Sequence, residues 1–178
     1  LTGLFNRRHL NDVLPSLWAL ARRDRQPLAV AVIDLDHFKS VNDRYGHLAG
    51  DWLLAEFGRL LARRLRRSDI ACRYGGEEFC VLMPRTDART AGRKLTALLR
   101  QWSGESFDYD GVALGGNSFS AGVADSLRVD DSTDALLRAA DQSVLEAKRL
   151  GRGRIVVCGE NGAAGAPAVN VRSISRAG

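Results

Sequence analysis

Arg73-Tyr74-Gly75-Gly76-Glu77-Glu78-Phe79 sits between two short apolar runs of β character, Ile70-Ala71-Cys72 and Phe79-Cys80-Val81-Leu82-Met83. A glycine pair between two such runs reads as the tip of a hairpin, where adjacent glycines supply the positive φ angles of a tight turn. Missing side chains at the tip also open the backbone to a ligand. Two carboxylates directly after the bend suggest a cation or proton-transfer site. Read alone, the run fits an ordinary hairpin with a solvated acidic shoulder equally well. The rest of the chain decides between the two.

Asp34 is the first companion. It ends Leu28-Ala29-Val30-Ala31-Val32-Ile33, apolar at every position, which reads as a strand buried on both faces. A carboxylate at the end of such a strand is costly unless it is paired or holds a cation. Beside the hairpin, Asp34 and Glu77 would suit a hard cation such as Mg²⁺. Asp36 precedes His37-Phe38-Lys39-Ser40-Val41-Asn42 and reads as the N-cap of a short helix, ahead of metal binding.

Outward from these runs, residues 6–25 read as a helix whose apolar stripe is interrupted by Pro15. The strand at 28–34 leads to a short helix near 37–44 and a longer one at 48–66, striped by Leu53, Leu54, Phe57, Leu60, Leu61 and Leu65. After the hairpin at 69–83, Thr86-Asp87 opens a helix to about Trp102. Two short strands flank Asp110-Gly111, and Ser118–Ala124 reads as another strand. Asp131–Leu150 is amphipathic and stops at Gly151, a natural residue just past a helix end. Ile155–Cys158 closes the fold. This mixed order, with a central hairpin, predicts an α/β sandwich of the α+β type, a mainly antiparallel central sheet flanked by helices.

At 178 residues and 45% hydrophobic, the chain supports one core and one domain, expected over 1–158. The Ala- and Gly-rich stretch 159–178 is expected to be disordered. No apolar run reaches membrane-spanning length, so no direct membrane contact is expected. Three cysteines (Cys72, Cys80 and Cys158) lack metal-ligand spacing and read as small buried hydrophobes in a reducing, cytoplasmic setting. The net charge of +5 favours anionic partners, with Arg59, Arg63, Arg64, Arg66 and Arg67 gathered on one helix end. No aromatic–basic strand motif points to nucleic acid. A first residue of Leu1 rather than Met suggests a piece of a longer protein.

Three further segments complete a set: Leu1-Thr2-Gly3-Leu4-Phe5-Asn6-Arg7-Arg8, Asp34-Leu35-Asp36-His37-Phe38-Lys39-Ser40-Val41-Asn42-Asp43 leading to Gly46-His47 and Gly50-Asp51, and Ala147-Lys148-Arg149-Leu150-Gly151-Arg152. With the double-glycine hairpin, they closely resemble the GGDEF family of diguanylate cyclases, from residue 1 to about 157. The name motif stands here as Gly75-Gly76-Glu77-Glu78-Phe79. The resemblance implies a palm-like sheet similar to class III nucleotidyl cyclases. It also implies condensation of two GTP into cyclic di-GMP with release of two pyrophosphates. On the same basis Asp34, Glu77 and the Leu35 carbonyl are expected to hold two Mg²⁺ ions per half-site, with Mn²⁺ as a substitute. Glu77 and Glu78 are the catalytic candidates, and the sequence leaves open which is the general base. Both reach one site only if the hairpin bends between them, because successive strand residues face opposite sides.

The resemblance assigns guanine recognition to Asn42 and Asp51, whose donor and acceptor groups suit that base. Phe38, Lys39 and Gly76 are placed beside the nucleotide, with the 35–39 loop opening a helix as a phosphate seat. Lys148 and Arg152, four positions apart, match a terminal phosphate-binding pair, and His47 is an outer candidate. Arg66-Arg67-Ser68-Asp69 contains Arg-x-x-Asp, with five residues between Asp69 and Gly75, and matches an inhibitory product site built from Arg66 and Asp69. One chain offers one half-site, so a homodimer is expected for catalysis, paired under control of an upstream sensory or regulatory domain. A catalytically silent GTP or cyclic di-GMP receptor is the alternative.

Overall fold

The computed structural model describes residues 1–129 and 132–160. A six-stranded sheet is built from β1 (Phe5–Asn6), β2 (Leu28–Leu35), β3 (Ile70–Arg73), β4 (Glu78–Pro84), β7 (Phe119–Asp125) and β8 (Ile155–Val157), in the order β1-β3-β4-β2-β7-β8. The three central pairings are antiparallel and the two edge pairings are parallel. A separate hairpin, β5 (Phe107–Tyr109) with β6 (Val112–Leu114), flanks Asp110-Gly111 as the sequence suggests. This is the expected α/β sandwich with a mainly antiparallel sheet.

Strand alternation sorts the core into two layers. On one face Ala29, Ala31, Ile33, Phe79, Val81, Phe119 and Val123 pack under α2 (Phe38–Tyr45), α3 (His47–Arg64) and α4 (Ala88–Gly104). Phe57 of α3 meets Phe79, Trp102 and Phe119 edge-on, with ring centroids 4.9, 4.9 and 5.4 Å away. On the other face Leu28, Val30, Val32, Cys72, Cys80 and Leu82 pack under α1 (Arg7–Asp24) and α5 (Thr133–Arg149). Every residue of β2 is buried, which explains its unbroken apolar sequence up to Asp34. Among the described residues no helix is long and apolar enough to cross a membrane.

Gly122 fixes the seat of α5. A Cβ there would overlap the Ala140 carbonyl oxygen and the Val144 nitrogen and lie 2.7 Å from the Ser143 carbonyl carbon. Only a residue without a side chain lets the helix backbone come this close to β7. Helix α1 spans the expected 6–25 stretch and runs through Pro15, which interrupts its apolar stripe but not the helix. Leu10 and Leu14 ahead of it and Ala21 beyond it are buried against the sheet, while Pro15 itself faces solvent. Tertiary packing therefore outweighs the lost backbone bond. The expected tail from Gly159 lies outside the described residues beyond Glu160, whose carboxylate pairs with Arg89 at 3.2 Å and Arg128 at 3.1 Å. The expected helix start at Asp131 also falls outside; Ser132 caps α5 by accepting from the Ala135 N–H.

Candidate active site

The site forms where the central strand β2 ends and its antiparallel neighbour β4 begins. Asp34 stands directly opposite Glu78 on one neighbour and Ser120 on the other. Cross-strand partners share a face, here the one covered by α5. Asp34 is almost wholly buried, and the Lys148 Nζ reaches down from α5 to within 2.7 Å of its Oδ2. Lys148, expected at a phosphate, thus sits first of all against Asp34. The close seating of α5 at Gly122 delivers it there.

Glu77 precedes the first residue of β4 and so escapes strict strand alternation. Its half-buried carboxyl is pushed above the usual carboxylate range, chiefly by burial, next by the negative charge of Asp34, with Glu78 adding and Lys148 opposing. Asp34, Glu77, Glu78 and Lys148 therefore share one electrostatic neighbourhood. The chain bends over residues 75–77, just ahead of β4. The Leu35 N–H donates to the Glu77 carbonyl at 3.2 Å, and the Tyr74 and Gly75 N–H groups donate to Glu78 at 2.8 and 3.1 Å. Arg73 closes the turn by donating from Nε and Nη2 to the Gly76 carbonyl at 3.1 and 2.7 Å.

The glycines act differently from the sequence expectation. Neither Gly75 nor Gly76 has a positive φ. A Cβ on Gly75 would instead overlap the Glu78 Oε2 and lie 3.3 Å from its Cδ, so the acid folds over this residue. At Gly76 nothing stands within 4 Å of where a Cβ would be, which leaves the exposed tip open for close approach. Room for the folded Glu78 at Gly75 and an open tip at Gly76, not turn handedness, are what the pair provides.

Asp36 also departs from expectation. It does not cap α2; His37 occupies that position in the left-handed region, with φ 57°, and no side chain caps the first turn. Asp36 turns inward instead, accepting from Ser118 Oγ at 2.8 Å, Ser120 Oγ at 2.7 Å and the Gly153 N–H at 3.0 Å. It ties β2, β7 and the loop after α5 together and holds the segment carrying Arg152, itself exposed with φ 64°. The partners lie so far along the chain that local pattern could not reveal this role.

The remaining candidates lie on α2 and α3, the two helices that follow β2 in the chain. Phe38 is buried in the core, so its backbone rather than its ring is what the uncapped start of α2 presents; Lys39 is exposed there. Asn42 lies against Gly50, where a Cβ would overlap its Oδ1, and Gly50 adjoins the exposed Asp51 at the start of α3. His47 is exposed at the first position of α3. Arg66 and Asp69 lie apart, on the turn between α3 and β3, bordering a cavity of about 400 Å³.

Among the described residues no group of three or more His, Cys, Asp or Glu side chains gathers as a metal cage. The donor set available is two carboxylates, Asp34 and Glu77, plus carbonyl oxygen. Hard oxygen donors suit Mg²⁺, which keeps several waters or phosphate oxygens and needs no all-protein cage. Asp34 is almost wholly buried with Lys148 as its one ion-pair partner among the described residues, and the negative charge of Asp34 adds to burial in raising the neighbouring Glu77 carboxyl. These residues fit a divalent cation.

The family model for the diguanylate cyclase, GGDEF domain, matches residues 1–154. The chain is 40% identical over 157 residues to the response regulator PleD of Caulobacter vibrioides, covering 88% of this chain and 35% of that protein. It is 42% identical over 158 residues to the diguanylate cyclase DgcP of Pseudomonas aeruginosa, covering 88% of this chain and 23% of that one. The chain thus spans about a third or less of the length of these relatives. In three dimensions it is similar to the GGDEF domain of DgcB from Caulobacter crescentus, solved in complex with c-di-GMP. The TM-score is 0.85 at 30% identity, covering 89% of this chain and 91% of that one.

Proposed function

Since the chain belongs to the GGDEF family of diguanylate cyclase domains, we propose that it condenses two GTP into cyclic di-GMP, releasing two pyrophosphates. The observation that carries this reading is the nest of Asp34, Glu77, Glu78 and Lys148 at the mouth of the central strands, beside an unobstructed Gly76. Each copy holds one GTP, and two copies pair so that each 3′-hydroxyl faces the other's α-phosphate. Asp34, Glu77 and the Leu35 carbonyl hold Mg²⁺. When bound, Mg²⁺ supplies charge neutralisation on the phosphates and eases ionisation of the attacking hydroxyl.

The protein's own groups do the rest. Glu77 takes the proton of the 3′-hydroxyl, and Glu78 shapes the bend by folding over Gly75. As each O3′–Pα bond forms, the bond from Pα to the pyrophosphate oxygen breaks, and pyrophosphate leaves. Lys148 and Arg152 draw the triphosphate, with Lys148 exchanging its hold on Asp34 for phosphate oxygen. The uncapped first turn of α2, with Lys39, offers backbone N–H groups to the same anion. Asn42 donates to and accepts from the guanine edge and Asp51 accepts from it, with Phe38 fixing the α2 backbone and His47 bordering the base pocket. Product returns to a separate site at Arg66 and Asp69 and restrains the enzyme.

Incubation of the chain with GTP and Mg²⁺, followed by chromatography, tests the assignment. Cyclic di-GMP is expected, with specific activity rising with protein concentration as copies pair. Asp34→Asn and Glu77→Gln should each abolish product while circular dichroism stays that of the parent. Nucleotide binding without product, in the chain fused to a dimerising coiled coil, would make it a receptor and refute the enzyme.

A further inference from the structure

Asp69 is a buried carboxylate with an unusual set of neighbours. The turn that carries it is closed by its own N–H donating to the Arg66 carbonyl at 2.9 Å and by the Arg66 N–H donating to its Oδ2 at 3.1 Å. Its side chain is 1% exposed, and Lys94 Nζ, from the middle of α4, stands 3.6 Å from the same Oδ2. That is an ion pair too long to be a hydrogen bond. The other oxygen, Oδ1, accepts from nothing, and the Lys94 ammonium donates to nothing. Arg66 reaches Asp69 only through its backbone, so its exposed side chain is not the compensating charge.

Cavities open on both sides of this pair. Asp69 borders the one of about 400 Å³, with Arg66 and Arg67. Lys94 borders the other, of about 380 Å³, with Arg64 and Gln101. A buried carboxylate with a spare lone pair, held by a cation that also has spare donors, is a poor structural element. It is costly to bury and incompletely satisfied. It makes sense as an acceptor waiting for a donor.

We propose that Lys94 is the positioning residue of the Arg66–Asp69 site: its ammonium, 3.6 Å from Oδ2, holds the Asp69 carboxylate turned so that Oδ1 can accept from the guanine donor edge of cyclic di-GMP. The inference rests on the reading of Arg66 and Asp69 as the product site. Lys94 acts through Asp69, and the guanidinium of Arg66 makes the direct grip on the ligand. Removal of the ammonium leaves a buried carboxylate with no countercharge and nothing to hold its orientation, and the guanine edge loses its positioned acceptor.

The test is calorimetric titration of cyclic di-GMP into the full chain, with the nucleotide site filled by a non-reactive GTP analogue. Wild type, Arg66→Ala, Lys94→Met, Lys94→Gln and Lys94→Arg are compared, with thermal melts to establish folding. Lys94→Met and Lys94→Gln are expected to weaken binding by about tenfold or more, as for truncating one member of a desolvated charge pair. Lys94→Arg, with room in the adjoining cavity, should restore most of it, which a purely packing role would not do. Should Lys94→Met fail to fold, Lys94→Gln, which keeps a donor without the charge, carries the comparison. Wild-type binding that Arg66→Ala abolishes but neutral Lys94 variants retain overturns the role of Lys94 and leaves the product site standing. Arginine as weak as methionine also overturns it. No binding by the wild type removes the product site itself, and this role with it.

Discussion

Gly50→Ala separates base recognition from folding. A Cβ at this position would overlap Asn42 Oδ1 and lie 2.9 Å from its Cγ and 3.1 Å from Phe38 Cζ. Comfortable carbon contacts begin near 3.5 Å, so something must move. Phe38 is locked in the core, whereas Asn42 is a half-buried side chain free to rotate. Pushing Asn42 off its rotamer costs about 0.5–1.5 kcal/mol. Replacing a helical glycine by alanine returns about 0.8–1.0 kcal/mol. The two nearly cancel, so the melting temperature should barely shift. The bonds to guanine proposed for the carboxamide, by contrast, would be lost, at about 1–3 kcal/mol, which lowers kcat/KM for GTP by roughly 5- to 150-fold. Discrimination against ATP should fall with it. Initial rates of product formation for Gly50→Ala, Asn42→Ala and the double variant make a cycle. If the alanine acts through Asn42, the double variant is no worse than Asn42→Ala alone. Additive losses, or a Gly50→Ala enzyme with parental kcat/KM, refute the reasoning.

Two other perturbations test the frame that carries the site. Gly122→Ala forces α5 off β7, backbone against side chain, and should cost about 1–3 kcal/mol, lowering the midpoint by roughly 3–10 °C in a thermal melt; an unchanged midpoint would mean that the helix seating described for Lys148 is wrong. Asp87 caps α4 by accepting from the Thr90 N–H at 2.7 Å, a bond that, ahead of its other contacts, holds its carboxyl below the usual range. Asp87→Ala should cost about 1 kcal/mol at pH 7. Because the folded carboxyl is depressed, its contribution is complete above the ordinary aspartate range and disappears as pH falls through the depressed folded value. Urea melts at pH 7, 5 and 3 should therefore show the gap between parent and variant narrowing only at the most acid point. A gap that widens on acidification contradicts the cap.

The fold was legible where one residue's requirement is local. A run without a polar side chain from Leu28 to Ile33 has few homes other than the middle of a sheet, and its closing aspartate had to be exceptional. Helix stripes on α3 and α5 gave their buried faces for the same reason. Pro15 did not break the helix read over 6–25, because its penalty is local while the burial of Leu10, Leu14 and Ala21 is not. The site was legible as a set of residue types, less so as a set of contacts. Asp36 looked like a cap from its immediate neighbours, yet its partners Ser118, Ser120 and Gly153 lie 82, 84 and 117 residues away. The pairing of Lys148 with Asp34 and of Lys94 with Asp69 likewise depends on how helices settle on the sheet, which no spacing along the chain encodes. The glycine pair was noticed for the right place and the wrong reason, because a clash with Glu78 depends on a rotamer.

The edge strand β1 is only two residues long, yet Asn6 does double duty: it caps α1 and lies alongside Arg73, the residue that clasps the Gly76 carbonyl. A torque entering along Leu4 and Phe5 therefore has almost no slack to take up before it reaches the glycine bend. So short a crank makes this corner a natural place to graft a light-driven or tension-driven actuator, on the border of the sheet opposite β8.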